Sequence, residues 1–93
     1  MELLKKVKTV LRVSTDKFDD AELIPIIEAC KRDLKLAGVV RIEESDHLVV
    51  RSAALYAKGN FGYDDDKGRF QQAYEKLRDS MALSGLYGGD EDA

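Results

Sequence analysis

Asp64, Asp65 and Asp66 place three carboxylates side by side, and carboxylate oxygens are the ligands that calcium prefers in proteins. Asp64, Asp66 and Glu75 also stand at the first, third and twelfth positions of a calcium-binding loop. The sixth position of that loop requires glycine for its sharp turn, but Arg69 occupies it here, within a stretch that follows a helical pattern. The spacing therefore favours carboxylates that cap a helix over a metal site.

Cys30 and His47 are the single cysteine and the single histidine of the chain, and neither has the neighbours that chemistry would require. Cys30 lies in the middle of an apolar stripe, which predicts a buried and inert thiol. His47 lies on a polar strip near a helix start, and no nearby residue completes a catalytic triad with it. The sequence also lacks a phosphate-binding loop, a dinucleotide fingerprint and a zinc spacing. We therefore predict no catalytic residue, no metal, no cofactor and no enzymatic activity.

Lys5, Lys8 and Arg12 lie on one side of the first predicted helix, where they form either a phosphate-binding face or a solvated surface. The chain carries a net charge of −3, which is opposite to the basic footprint of a dedicated nucleic-acid binder. We interpret the face as solvated and keep a small helical nucleic-acid-binding regulator as the alternative. Duplex binding with a steep salt dependence would identify such a regulator.

The start of the chain predicts a protein made in the cytoplasm. Lys5, Lys6 and Lys8 interrupt the apolar residues near the amino terminus, so no signal peptide is recognised. No apolar run approaches the length of a membrane span, and we expect no membrane partner.

The elements that position these residues are helices. Apolar residues recur with the 3.6-residue period along most of the chain, which predicts an all-α fold, a compact bundle of four helices. The helices are predicted to span about residues 2–13, 20–37, 46–58 and 66–82. We expect one helical domain over residues 1–85 and a flexible acidic tail over residues 86–93.

The second helix has a well-marked start. Asp19 and Glu22 have the spacing of a capping box, and Phe18 and Leu23 occupy the two positions of a hydrophobic staple. Pro25 is expected to loosen the first turn without ending the helix.

The third predicted helix is apolar around most of its circumference, with only a narrow polar strip. Such a helix must be enclosed by others, so it is either the central helix of the bundle or a core helix that also offers apolar surface to a partner. The fourth helix has a single apolar face. That face consists of Phe70, Ala73, Tyr74, Leu77 and Met81.

The corner between these helices combines flexible and aromatic residues. Gly59 or Asn60 is expected to take the left-handed conformation that ends a helix. Phe61 and Tyr63 are expected to pin the corner to the bundle, and Gly62 to allow the sharp path between them.

Three stretches of the chain resemble the small head-tail connector, or adaptor, proteins of tailed bacteriophages and prophages. They are residues 3–34, residues 52–66 and residues 69–87. The most specific element is the corner, in which structural rather than catalytic residues carry the likeness. Its residues are Gly59, Asn60, Phe61, Gly62, Tyr63 and Asp64.

The resemblance implies a structural virion protein located at the head-tail junction, after a period in the host cytoplasm. Copies of the chain would form a ring on the portal protein after DNA packaging, and the ring would extend the DNA channel. The ring would also provide the docking surface for a tail or tail-completion protein, with DNA only as passing cargo. Leu86 and Tyr87, the sizeable apolar residues of the tail, are the candidate portal contacts.

Overall fold

A computed structural model describes residues 1–60 and 66–88 of the 93-residue chain. Within them lie four α-helices: α1 (Glu2–Leu11), α2 (Ile24–Ala37), α3 (His47–Asn60) and α4 (Lys67–Leu83). A π-helical turn, Asp19–Leu23, leads directly into α2. The described residues contain no strand, so the predicted all-α bundle of four helices is confirmed. No helix in these two ranges is both long and apolar enough to cross a membrane.

Helix α3 is the centre of the bundle, because it packs against α1, α2 and α4. Val49, Ala53 and Ala57 are buried in this position, and the small alanine side chains allow the neighbouring helices to come close. Ser52 is also fully buried, and its hydroxyl donates a hydrogen bond of 2.8 Å to the Leu48 carbonyl. Of the two predicted positions, the helix therefore takes the central one, and the buried hydroxyl is satisfied within the helix itself.

The other helices turn their predicted apolar stripes toward α3. The buried aliphatic residues of α1, the π turn and α2 are Leu3, Leu4, Val7, Leu23, Ile27 and Leu34. Helix α4 covers the core with a narrower stripe, in which Tyr74 and Met81 are buried. Ala73, which was expected on this face, is exposed because it lies at the edge of the apolar arc.

The start of α2 differs from the predicted one. The Leu23 amide donates to the Phe18 carbonyl at 2.8 Å, five residues back, which is the bond of a π turn. Pro25 follows in the first turn of α2, where a missing N–H leaves no helical bond unmade. The regular helix therefore begins at Ile24 rather than at residue 20.

A short connection joins the end of α2 to the start of α3. Gly38 ends α2 with a left-handed φ of 107°, a conformation that glycine adopts without steric cost. Val39 is fully buried after it. The Asp46 carboxylate then accepts hydrogen bonds from the Leu48 and Val49 amides, at 2.8 and 3.2 Å, and so caps α3.

Candidate interaction surfaces

The predicted corner lies partly outside the described residues. Gly59 and Asn60 form the last turn of α3, and among the residues that the structure describes only Arg12 and Gly38 have a positive φ. The prediction that Gly59 or Asn60 takes a left-handed conformation is therefore wrong. The corner residues that lie outside the described ranges are Phe61, Gly62, Tyr63 and Asp64.

Gly59 has a different structural reason to be glycine. A Cβ atom at this position would lie 2.7 Å from Cγ of Gln71, so a larger residue would force the Gln71 side chain to move. The Gln71 side-chain amide donates to the Gly59 carbonyl at 3.1 Å, and the Asn60 amide donates to the Tyr56 carbonyl at 2.7 Å. Gly59 thus serves the close packing of α3 and α4, whereas the Asn60 side chain bonds within α3 itself.

Asp66 occupies the N-cap position of α4, as the three aspartates suggested. Its side chain makes no capping hydrogen bond, and its carboxylate lies 3.3 Å from the Arg69 guanidinium. In the described residues, no group of three or more histidine, cysteine, aspartate or glutamate side chains could hold a metal ion.

A polar groove of about 280 Å³ lies along the faces of α2, α3 and α4, and we call it the α2–α4 groove. The Tyr74 hydroxyl donates to the Asp33 carboxylate at 2.6 Å, and the Arg78 guanidinium donates to the same carboxylate at 3.1 Å. The rings of Tyr56 and Tyr74 meet edge to face with centroids 5.0 Å apart. Three polar side chains of this groove, Asp33, Tyr74 and Arg78, therefore bond one another and join α2 to α4.

Burial raises the pKa values of two neighbouring side chains, Tyr74 in this groove and Cys30 in the core. Burial, helped by the hydrogen bond to Asp33, raises the pKa of the Tyr74 hydroxyl above its ordinary value. Burial raises the pKa of the Cys30 thiol to about 12, so this side chain is protonated at neutral pH. The prediction of a buried, inert cysteine is confirmed by its position in the core.

A second groove, of about 380 Å³, lies between α1 and α3, and we call it the α1–α3 groove. Its apolar lining residues are Val10, Leu48, Val50, Ala54 and Leu55. The remaining lining residues, His47, Arg51 and Lys58, are basic, and no carboxylate lines the groove. Val10, on α1, is 44% exposed. Helix α3 thus leaves apolar surface uncovered on the side next to α1.

The wall of this groove formed by α1 is held in place by a residue that sequence reasoning did not single out. One oxygen of the Glu44 carboxylate accepts from the Leu3 amide at 3.0 Å, and the other accepts from the Lys31 ammonium at 2.7 Å. The bond from Lys31, with help from the Leu3 amide, holds the pKa of Glu44 below its ordinary value. A single side chain therefore caps the start of α1 and ties it to α2.

The turn after α4 lies against the body of the domain. The Tyr87 hydroxyl lies 3.0 Å from both oxygens of Asp46, and the Tyr87 carbonyl accepts from the amides of Val40 and Arg41. Desolvation alone would raise the pKa of Asp46, but the bonds from Tyr87 and from the α3 amides hold it below its ordinary value. Leu86, the other candidate contact, is 64% exposed.

The basic face of α1 is interrupted. The Lys8 ammonium lies 2.8 Å from the Asp16 carboxylate, which brings a negative charge onto this face. Arg12 is the left-handed C-cap of α1 and turns the chain away from the helix axis. These two observations do not favour a phosphate-binding role for Lys5, Lys8 and Arg12.

A family model described as "Phage connector protein" matches residues 3–87 of the chain. The chain belongs to this family. The match extends over all four helices and over the turn that carries Tyr87, so it includes both grooves. Membership in the phage connector family indicates a structural component of the virion rather than an enzyme. Searches of curated proteins and of solved structures found no significant match.

Proposed function

We propose that the protein is the head-tail connector of its phage, forming a ring on the portal protein after DNA packaging. The ring extends the DNA channel and offers the surface on which a tail or tail-completion protein docks. The observation that carries this proposal is the family match over residues 3–87. The uncovered apolar surface of the α1–α3 groove supports it, because a ring of identical subunits needs a contact surface that the isolated fold does not fill.

DNA takes part only as cargo that passes through the channel. The net charge of −3 supports this role, because an acidic wall repels phosphates and lets a duplex move without binding. Helix α1, which carried the alternative of a nucleic-acid-binding regulator, has its basic face interrupted by Asp16.

The isolated chain is expected to be a monomer or a weak oligomer that completes its ring only on the portal. The apolar lining of the α1–α3 groove consists of five aliphatic residues, whereas a stable interface contains about 20–30 residues on each side. Light scattering at low and high concentration tests this part. A stable ring at micromolar concentration would reject it and leave the connector role intact.

The portal contact remains a prediction for Leu86 and Tyr87. The exposure of Leu86 supports it, since this side chain is available to another protein of the junction. Tyr87 is engaged with Asp46, and its role in such a contact would be to hold the turn that presents Leu86.

Co-purification with the portal protein, together with head-to-tail joining in a phage that lacks the gene, tests the proposed function. The full chain is expected to bind the portal and to restore joining. A chain that ends at Leu83 loses Leu86 and Tyr87 and should do neither, whereas a chain that ends at Gly88 keeps both residues and should still bind the portal. Normal joining in the absence of the protein would refute the connector role.

A further inference from the structure

The α1–α3 groove has a definite chemical character. Aliphatic side chains form its floor, and all of its charged or titratable lining residues, His47, Arg51 and Lys58, are basic. Arg51 and His47 are four residues apart on α3, so they lie on the same face of that helix. A ligand that fits this groove carries apolar side chains next to carboxylates, because the groove supplies the complementary partners for both.

The C-terminal end of the same chain has the apolar and acidic side chains that such a ligand would carry. Leu83 is 87% exposed and Leu86 is 64% exposed, which is unusual for large aliphatic residues in adjacent turns of one segment. Asp90, Glu91 and Asp92 follow in the sequence. Two leucines and three carboxylates thus stand within eleven residues, the segment 83–93.

Neither leucine can fill the groove of its own molecule. Leu83 ends α4 and Leu86 lies in the following turn, and neither side chain lines the α1–α3 groove. The bond between Tyr87 and Asp46 fixes this turn to the start of α3. The leucines are therefore available to the groove of another copy rather than to the groove of their own molecule.

We infer that the α1–α3 groove of one copy receives the C-terminal segment, residues 83–93, of a neighbouring copy. Leu83 and Leu86 cover the aliphatic floor, and the carboxylates pair with His47 and Arg51. The contact joins two different surfaces of the chain, so each copy binds one neighbour through its groove and the other through its C-terminal segment. Such a head-to-tail contact can close into a ring. This inference rests on the proposed ring assembly and names the surfaces that form it.

Self-association of the full chain in solution is the direct test. Sedimentation velocity and NMR titration should detect it up to about 1 mM, the local concentration that linked neighbours reach in an assembly. The groove variant His47→Glu/Arg51→Glu should bind about tenfold more weakly, since it reverses the charge opposite the carboxylates. The control Arg32→Glu/Lys35→Gln changes the net charge equally, with histidine counted as neutral, at exposed α2 positions outside the groove. It should associate like the original chain.

Mixing two variants tests whether the contact joins different copies. The tail variant Asp90→Lys/Asp92→Lys should also associate weakly by itself, because its basic segment meets a basic groove. An equal mixture of the groove variant and the tail variant should recover association, since each groove then meets a segment of opposite charge. Raising the salt concentration should weaken both the original and the recovered contact.

Three results would overturn the inference. They are a chain with no concentration dependence up to the highest concentration, a groove variant that associates like its control, and a mixture that fails to recover association. A tail variant that loses portal co-purification while it self-associates normally would assign the segment to the portal instead. Portal binding by the original chain is measured separately, so failure of the connector role and failure of this contact are distinguishable.

Discussion

The α2–α4 groove and the α1–α3 groove are similar in size, at about 280 and 380 Å³, but their side chains are used in opposite ways. In the α2–α4 groove, the central polar side chains find partners in the same chain, with Asp33 accepting from Tyr74 and Arg78. In the α1–α3 groove, aliphatic side chains remain exposed beneath a basic rim. The first groove is therefore part of the internal support of the fold, and the second is available for binding.

The largest effect that this comparison predicts is on Tyr74. Tyr74 is only 3% exposed, so Tyr74→Ala should lower the free energy of unfolding by about 3–5 kcal/mol, through the cavity and the lost hydrogen bond. Urea denaturation measures the change. Phe70→Ala removes a half-buried ring from the same helix and should cost clearly less. Equal losses for the two variants would contradict a special structural role for the α2–α4 groove.

Asp33→Ala should give the next largest effect. The change leaves the buried Tyr74 hydroxyl without its acceptor, which should cost about 1–3 kcal/mol of unfolding free energy. Asp79→Ala removes the other carboxylate that bonds Arg78, but at an exposed site, and should cost less than about 1 kcal/mol.

A double-mutant cycle tests the pairing directly. Because Tyr74→Phe removes the hydroxyl that needs Asp33, the combined variant Asp33→Ala/Tyr74→Phe should lose less stability than the sum of the two single changes. Additive losses would show that the pair contributes nothing beyond its separate residues.

Acid should weaken the support of the α1–α3 groove through Glu44. The folded-state pKa of Glu44 lies below its unfolded value, so its contribution is present above the unfolded pKa and is lost as the pH falls through the folded one. The Lys31 pKa is raised, chiefly by its bond to Glu44, so its contribution is lost only as the pH rises through the raised value. The pair is therefore complete at neutral pH.

Thermal unfolding near pH 7 and near pH 3 measures this effect, and the melting temperature should be lower near pH 3. The variant Glu44→Gln keeps an oxygen for the Leu3 amide but has no carboxylate to protonate. Its melting temperature should therefore fall less on acidification than that of the original chain. An equal fall in both proteins would mean that other carboxylates control the acid response.

The smallest effect on stability is expected in the α1–α3 groove itself. Val10 is 44% exposed, so Val10→Asp should change the unfolding free energy by no more than about 0.5 kcal/mol. The same change should weaken self-association, because it places a carboxylate on the apolar floor that receives the neighbouring segment. Leu36→Asp, at another exposed aliphatic residue, should leave association unchanged. A large loss of stability in Val10→Asp would show that the groove belongs to the core.

Sequence periodicity was sufficient to predict four helices and most of the buried residues, because the 3.6-residue period is a property of neighbouring positions. Local patterns also agree with the structure at Gly38, which ends α2, and at Asp46, which caps α3. They failed at Gly59, because a glycine that ends a helix and a glycine that lets two helices approach have the same letter in the sequence.

The sequence by itself determined the fold class, the apolar character of α3 and the resemblance to the phage connector family. Only the tertiary structure decided which charges meet, because Asp33 and Tyr74, Asp46 and Tyr87, and Glu44 and Leu3 are each 41 residues apart. No local pattern encodes such distances, since they depend on how whole helices pack. The same packing decided that the uncovered apolar surface of α3 lies beside α1. It also placed basic residues of α3 around that surface, although in the sequence they look like ordinary surface charges.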